Sequence, residues 1–381
     1  MHPPSRHGAR RASPFRRESA ILAPLVTAVI ALFVGERWLA ILPDHLMSGM
    51  VFAWLIAMIL VGVKSVVRHA DCLAWKLGEP YGTMVLTLAV ASIEILTIAI
   101  VMTTGDPNPT LARDTMFSVV MIVLNGLVGV SLLFGGLRHR EQEYNLQGAI
   151  SYLSVIISLA VFGLIVPNFT DTTIDATFSH GQEVFLIVMC MGLYIVFLAI
   201  QTTRHRVFFI EPAHGGSSAG SAHATHATPE FHSLSYHIAF LVGCLGLVIF
   251  LTEKMAILLN YGLDELKAPP ALGALFVAML VLAPEGLGGI FAALDNRMQR
   301  AVNILLGSAL ATLALTIPSV IIIGRLNHVD VILGLSPVDM VMLALTLIVS
   351  MLTFASGRTN VLQGAAHLML FLAYLMLLVW H

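Results

Sequence analysis

Charged residues are scarce in this chain. Asp, Glu, Lys and Arg make up 11% of its 381 residues, whereas 57% are apolar and the mean hydropathy is +0.88. A soluble protein carries roughly 25% charged residues, because they cover its surface. The shortage of charge therefore excludes a soluble globular protein and predicts a polytopic membrane protein.

Cysteines and the common catalytic motifs are also scarce or missing. The three cysteines, Cys72, Cys190 and Cys244, lie far apart and form no CxxC pair, which argues against a disulfide framework or a zinc site. The chain has no GxxxxGKS or GxxxxGKT sequence for a nucleotide and no HExxH sequence for a metallohydrolase. We therefore expect no enzymatic activity, no cofactor and no nucleic-acid partner, and we expect an ion gradient to drive any transport.

Long apolar segments are abundant. A helix needs roughly 20 apolar residues to cross a bilayer, and we predict an all-α membrane protein with eleven such helices. Of the Lys and Arg residues, 15 fall on the side of the N-terminus and 5 on the other side. The positive-inside rule then places the N-terminus in the cytoplasm and the C-terminus outside. The predicted spans are 20–35, 47–67, 80–103, 115–137, 148–166, 182–201, 235–253, 270–293, 301–323, 336–355 and 362–380.

The ten spans after the first divide into two sets of five, separated by a polar stretch. Because each set has an odd number of spans, the second set must cross the membrane in the opposite orientation. We therefore predict one N-terminal helix followed by two inverted repeats. The predicted regions are a basic cytoplasmic tail at 1–19, a first helix and outer loop at 20–46, a first repeat at 47–201, a cytoplasmic linker at 202–234 and a second repeat at 235–381.

The linker is rich in Gly, Ser, Ala and His, a composition typical of flexible segments. Its histidines could bind a transition metal or respond to pH, or they could simply be solvated side chains, and the sequence leaves these alternatives open. The histidines are His205, His214, His223, His226 and His232.

Two glutamates stand alone in apolar segments, Glu94 in the third predicted span and Glu285 in the eighth. A carboxylate at bilayer depth is unfavourable by a few kcal/mol, so such a residue is rarely present for packing. One acidic residue in each repeat, near the midplane, is typical of a secondary transporter with its ion site at the repeat interface. The pattern therefore predicts a cation and proton site at Glu94 and Glu285.

Other polar groups could complete this site. Thr87 and Thr97 lie on the same helical face as Glu94. Pro284 has no N–H, so the backbone carbonyl of Leu280 loses its helical partner and could bind a cation. Each polar residue, taken alone, could instead form a helix-packing hydrogen bond. Three further candidates lie on the polar faces of the fourth and ninth spans, namely Asn125, Ser308 and Thr312.

Carboxylates, carbonyls and hydroxyls are the oxygen ligands that Ca²⁺ takes, in sets of about six to eight. Two carboxylates close together in a low dielectric resist being ionised together, whereas a divalent cation neutralises both. Protons and the cation then compete for the same oxygens, which predicts an exchange mechanism. His367 is an intramembrane histidine that we interpret as a packing or relay residue rather than a ligand.

Several blocks of the sequence resemble the bacterial Cha-type calcium/proton antiporters of the calcium/cation antiporter superfamily. The resemblance covers nearly the whole chain from about residue 20. The blocks are GEPYGTMVLTLAVASIE (78–94), RDTMFSVVMIVLNGLVGVSLLFGG (113–136), LAPEGLGG (282–289), QRAVNILLGSALATLALTIP (299–318) and GRTNVLQGAAHL (357–368).

This resemblance implies a multi-pass antiporter of the bacterial inner membrane that exchanges Ca²⁺ for H⁺, and related proteins are associated with Na⁺/H⁺ and K⁺/H⁺ exchange. Glu94 and Glu285 match the two ion-binding glutamates of the family. The last block also suggests Asn360 as an ion ligand. The direction expected is cation efflux driven by proton influx, and a homo-oligomer is left open.

The chain departs from the family pattern at two positions. Ala91 and Leu282 stand where cation/proton exchangers carry an Asn three residues before the glutamate. Two oxygen ligands are therefore missing, which keeps Na⁺/H⁺ or K⁺/H⁺ exchange at the same site as an alternative. A membrane-embedded hydrolase and a structural scaffold are further alternatives, and a scaffold would not require either glutamate.

Overall fold

The computed structural model describes residues 14–34, 45–78, 80–104, 109–170, 177–212, 233–265, 267, 270–329 and 331–380. Most of these residues are helical, because a helix satisfies its own backbone hydrogen bonds inside a bilayer. Two sets of predicted features lie outside the described residues: residues 1–13 of the tail, and the linker histidines His214, His223, His226 and His232.

The helices follow one another with short connections. In chain order they are α1 (Pro14–Val34), α2 (His45–Leu77), α3 (Tyr81–Thr104), α4 (Leu111–Met121), α5 (Val128–His139), α6 (Leu146–Ala160), α7 (His180–Ala199), α8 (Leu234–Glu265), α9 (Pro270–Val281), α10 (Ala283–Leu294), α11 (Met298–Ala311), α12 (Ile317–Leu326), α13 (Pro337–Phe354) and α14 (Val361–Trp380).

Eight helical stretches within the described ranges are long and apolar enough to cross a membrane, which confirms a polytopic all-α protein. Two shorter apolar stretches, Glu18–Val34 and Thr83–Ser92, accompany them. The eight are His45–Leu77, Ala112–His139, Leu146–Phe169, His180–Arg204, Leu234–Leu263, Met298–Leu326, Pro337–Phe354 and Val361–Val379.

The helices α2 and α8 are longer than the apolar segments that predict them. Those segments end at 67 and 253, whereas the helices continue to Leu77 and Glu265. Charged residues end an apolar segment, but several of them are good helix formers. The helix therefore continues beyond the apolar segment. Helix α1 likewise begins at Pro14, earlier than predicted, and its Glu18 forms an ion pair with Arg68 of α2 (Oε2 to Nη2, 2.6 Å).

The helices α2 and α8 pack against each other over much of their length. Ile59 and Val63 of α2 and Leu241 and Val248 of α8 are buried in one apolar cluster. Gly62 allows the close approach, since a Cβ there would lie 2.8 Å from Cγ2 of Val248. One helix comes from each predicted repeat, so this contact joins the two halves of the chain.

Helix α11 lies at the centre of the second cluster. Nearly all of its residues are buried, and it packs against α3, α6 and α10. Its apolar side chains, such as Leu305 and Leu306, contribute to the largest core of the protein. The polar residues of α11 are therefore held away from lipid.

Four π-helical turns occur in the described residues. Val161–Ile165 and Ile200–Arg204 follow α6 and α7, and the other two interrupt long helical stretches. Ile122–Leu127 connects α4 to α5, and Thr312–Thr316 connects α11 to α12. A π-helical turn adds a residue to the helix and rotates the side chains that follow it, and such turns often occur at functional sites. These two connecting turns contain predicted site residues, Asn125 in the first and Thr312 in the second.

Two loops meet on one side of the bundle. Gln142–Glu143 (β1) pairs antiparallel with Arg358–Thr359 (β2), which ties the α5–α6 connection to the α13–α14 connection. The beginning of the predicted flexible linker is also folded. Residues 206–209 form a short 3₁₀ turn, and its Phe209 is fully buried against Tyr152.

Candidate ion-binding site

Glu94 and Glu285 are both buried, with exposed fractions of 6% and 1%. Glu94 lies in the middle of α3. Glu285 lies in the first turn of α10, directly after a break at Leu282 that separates α9 from α10. Pro284 favours this break, since it cannot donate a backbone hydrogen bond. A position in the first turn of a helix also favours a negative charge, because the helix dipole is positive at that end.

Each carboxylate accepts a hydrogen bond from a hydroxyl group, and both hydroxyl groups belong to one helical stretch, Met298–Leu326. Ser308 Oγ donates to Glu285 Oε2 at 2.7 Å, and Thr312 Oγ1 donates to Glu94 Oε2 at 2.8 Å. Ser308 and Thr312 are four residues apart, so they occupy consecutive turns on one face. The end of α11 therefore bridges the two glutamates.

The two carboxylates are close enough to interact electrostatically. The second oxygen of Glu94, Oε1, is buried and has no hydrogen-bond partner among the described residues. A buried carboxylate oxygen without a partner is rare and calls for an explanation such as an absent ion, water or proton. Glu94 Oε1 is thus a candidate ligand atom.

The ligand chemistry of this site is that of oxygen. Two carboxylates and two hydroxyls are typical ligands of hard cations such as Ca²⁺ and Na⁺. The described ranges contain no group of three or more His, Cys, Asp or Glu side chains placed to hold a metal ion. The oxygen ligands of the candidate site are therefore those of Glu94, Glu285, Ser308 and Thr312.

The other predicted ligands have different positions. Thr87 is buried about two turns before Glu94 in α3 and lines a small cavity. Leu280 is the second-last residue of α9, directly before the break. Thr97 lies in α3, but its side chain is outside the described part of the structure. Asn360 is exposed at the start of α14, where its Oδ1 accepts from the backbone N–H of Gln363 at 3.0 Å.

The side chain of Asn125 contacts polar groups of the last two helices, α13 and α14, rather than a carboxylate. Its Nδ2 donates to Thr346 Oγ1 at 2.8 Å, and its Oδ1 lies 3.3 Å from Nδ1 of His367. The other imidazole nitrogen of His367 lies 3.0 Å from Thr353 Oγ1. All of these residues are buried. They form a polar network that connects the π-helical turn Ile122–Leu127 to α13 and α14.

Sequence reasoning missed a second polar network next to Thr87. Gln201 Nε2 donates to the Tyr152 hydroxyl at 2.7 Å, and that hydroxyl lies 3.5 Å from the carbonyl of Asn303. With Thr83 and Thr87 these residues line a cavity of about 10 Å³, enough for a single water molecule. Polar residues at the helix ends gave the only signal, and such residues are common there.

The chain is similar in sequence to known proteins along most of its length. The sequence model of the sodium/calcium exchanger protein family matches residues 47–203 and 235–380. The sodium-potassium/proton antiporter ChaA of Escherichia coli is 39% identical over 94% of this chain and 96% of its own length. The putative ionic transporter y4hA of Sinorhizobium fredii is 40% identical, with 93% of this chain and 96% of its own length covered.

Solved structures share the fold. The native YfkE structure covers 95% of this chain and 99% of its own, with a TM-score of 0.67 at 16% identity. The H⁺/Ca²⁺ exchanger CAX covers 95% of this chain and 88% of its own, with a TM-score of 0.64 at 12% identity. At these identities the likeness shows the fold alone.

Proposed function

The chain belongs to the sodium/calcium exchanger protein family, and we propose that its Glu94 and Glu285 bind a cation and protons in turn. It is a cation/proton antiporter rather than an enzyme. The observation that carries this proposal is the pair of buried carboxylates held by consecutive turns of one helix. Ser308 and Thr312 fix one oxygen of each carboxylate. Glu94 Oε1 remains available for the ion or for a proton.

Charge balance links the two substrates. Two ionised carboxylates, buried side by side, require about two positive charges, because unpaired charges in a low dielectric are strongly unfavourable. One Ca²⁺ or two protons satisfy this requirement equally well. Binding of the cation at Glu94 and Glu285 therefore releases protons, and proton binding from the opposite side releases the cation. Alternation between the two sides then gives coupled exchange.

We propose Ca²⁺ as the first candidate cation, exported from the cytoplasm while protons enter. The two carboxylates match the charge of a divalent cation, and a proton gradient directed inwards across the bacterial inner membrane would drive export. This direction assumes the orientation expected from the Lys and Arg distribution, with the N-terminus in the cytoplasm.

A monovalent cation is the second candidate. The relative from E. coli that is 39% identical is named a sodium-potassium/proton antiporter. Ala91 and Leu282 supply no side-chain oxygen one turn before either glutamate. Ca²⁺ takes six to eight oxygen ligands, so a site with fewer side-chain oxygens suits a monovalent cation better than Ca²⁺. Exchange of Na⁺ or K⁺ for H⁺ would use the same two carboxylates.

Everted membrane vesicles test both candidates. Respiration acidifies the vesicle interior, a fluorescent probe reports the pH gradient, and Ca²⁺, Na⁺ or K⁺ is added separately. We expect micromolar Ca²⁺ to dissipate the gradient with the wild type, and neither Glu94→Gln nor Glu285→Gln to respond. Glu141→Gln is the matched control, because this side chain is 63% exposed and should behave as the wild type.

The alternatives give different results. A response to millimolar Na⁺ or K⁺ alone would identify the monovalent exchanger. Wild-type responses in both glutamine variants, at equal amounts of protein in the membrane, would refute the site. A chain that serves only as a scaffold would dissipate no gradient with any cation.

A further inference from the structure

Two buried histidines meet at one end of the α2–α8 contact. His69 of α2 is 1% exposed and His237 of α8 is 4% exposed. Their Nδ1 atoms are 3.0 Å apart, and their ring centroids are 5.3 Å apart. His237 lies in the first turn of α8, directly after the linker. The pair, which we call the histidine latch, therefore lies on the linker side of the protein, the side expected to face the cytoplasm.

The opposite ends of the same two helices border a cavity. His45 and Ser48 of α2 and Tyr261 and Glu265 of α8 line this cavity, which has a volume of about 440 Å³. The contact between α2 and α8 therefore has the latch at its linker-side end and a cavity at its other end. A group that weakens the latch can change how far these helices separate.

The hydrogen bonds define which imidazole nitrogens carry protons. Arg68 Nη2 lies 3.2 Å from His69 Nε2. Because a guanidinium only donates, His69 Nε2 must accept. In a neutral imidazole the other nitrogen carries the proton, so His69 Nδ1–H donates to Nδ1 of His237. Each unprotonated nitrogen of this contact therefore already accepts a hydrogen bond.

Any further proton must break one of these contacts. A proton on His237 Nδ1 removes the acceptor of the bond between α2 and α8. A proton on His69 Nε2 faces Arg68 at 3.2 Å and Glu18 at 3.6 Å. Glu18 is already paired with Arg68 at 2.6 Å, so it compensates a new charge only in part.

The surroundings of the latch contain few other ionisable groups. Among the described residues, Arg68, Glu18 and His237 are the groups that act electrostatically on His69. Tyr236 of α8 is hydrogen-bonded to Glu18, and Cys244 of α8 lies within the electrostatic reach of Glu18 and Arg68. Protonation of the latch therefore adds positive charge beside an arginine that is already paired with Glu18.

We propose that His69 and His237 form a second proton-binding site, separate from Glu94 and Glu285, which regulates exchange from the cytoplasmic side. Protonation of this site separates α2 from α8 and destabilises the state that is closed on the linker side. Exchange needs both states, so acid on that side lowers the maximum rate. The effect on transport rests on the proposed antiport function, whereas the separation of the helices does not.

The separation is measured by the distance between two spin labels in proteoliposomes. Trp75→Cys on α2 and Leu234→Cys on α8 place labels at exposed positions near the latch, after Cys72, Cys190 and Cys244 are replaced by serine. Between about pH 7.5 and pH 4.5 we expect a longer distance to become populated, mainly at the acid end of this range, because burial and the neighbouring Arg68 disfavour a charged His69. It should not become populated when His69→Gln and His237→Gln are added.

Transport gives the second measurement. At saturating cation, we expect the maximum rate of the wild type to fall as the linker side is acidified over the same range. The fall should approach about tenfold per pH unit once the latch is mostly protonated, as binding of one inhibitory proton requires. The double glutamine variant should lose this fall, and His45→Gln, at the far end of α2, should keep it. Protons that act at the carboxylates would instead raise the half-saturating cation concentration.

The outcomes separate the two proposals. If no cation is exchanged, the proposed function fails, but the spin-label distances still test the latch. If the label distance is independent of pH, or changes equally in the double glutamine variant, the latch is refuted. If exchange persists and the variant keeps the wild-type pH profile of the maximum rate, the regulatory role is refuted.

Discussion

Replacing Thr312 with valine would remove the hydroxyl that donates to Glu94 Oε2 at 2.8 Å while keeping nearly the same side-chain volume. The other oxygen of Glu94 already lacks a partner in the described structure, so the ionised carboxylate would lose the one hydrogen bond found for it. A hydrogen bond to a charged group contributes about 1.5–3 kcal/mol. The cation binds the ionised form, so its binding should weaken by about tenfold to a hundredfold.

The assay is the half-saturating cation concentration for gradient dissipation, measured at fixed pH in vesicles. Thr312→Ser keeps the hydroxyl and should stay close to the wild type. Thr316→Val is the matched packing control. Thr316 is also buried and lies one turn further along, but its hydroxyl bonds to no described residue. An unchanged half-saturating concentration in Thr312→Val, or an equal change in Thr316→Val, would refute the reasoning.

Three further results are expected. Ser308→Ala should weaken cation binding in the same direction, because it removes the 2.7 Å hydrogen bond to Glu285; an unchanged half-saturating concentration would show that this bond is not part of the site. In the variant with His69→Gln and His237→Gln, acid on the side that takes up the cation should raise the half-saturating cation concentration and leave the maximum rate unchanged, since protons and the cation share the same oxygens. A change in the maximum rate alone would contradict this competition. Gly364→Ala should lower the melting temperature in detergent, because its Cβ would lie 2.5 Å from the backbone nitrogen of Leu133, whereas Gly192→Ala, with no atom within 4 Å, should not.

The sequence indicated the parts of the candidate site that depend on local chemistry. Glu94 and Glu285 are candidates because a lone carboxylate in an apolar helix is rarely present for packing, and the structure has both of them buried. Pro284 indicated the break before Glu285, and the structure has α9 and α10 separated at Leu282. Ser308 and Thr312 were recognisable as a polar face of a buried helix.

The choice of hydrogen-bond partners could not be predicted, because it depends on how the helices pack. An asparagine in a span can face a carboxylate or another helix, and Asn125 bonds to Thr346 and lies close to His367. Asn360, suggested by the family resemblance, is exposed and hydrogen-bonds to Gln363 at the start of α14. In these cases the tertiary contacts, rather than the residue type, determine the role.

Two larger features also lack a local signal. The π-helical turns at Ile122–Leu127 and Thr312–Thr316 depend on packing that favours an extra residue in the helix, and hydropathy patterns do not detect them. The contact between His69 and His237 joins residues that are 168 positions apart. Each histidine alone is an ordinary residue near a helix end, and only the pairing of α2 with α8 makes the two into a possible proton site.

The central claim is that the cation and protons share Glu94 and Glu285. Isothermal titration of the purified protein with Ca²⁺, Na⁺ or K⁺, repeated in buffers with different ionisation enthalpies, gives the number of protons released when a cation binds. We predict proton release with the wild type and no cation-linked release with the Glu94→Gln/Glu285→Gln variant. Cation binding without proton release, or equal release from the variant, would contradict the claim.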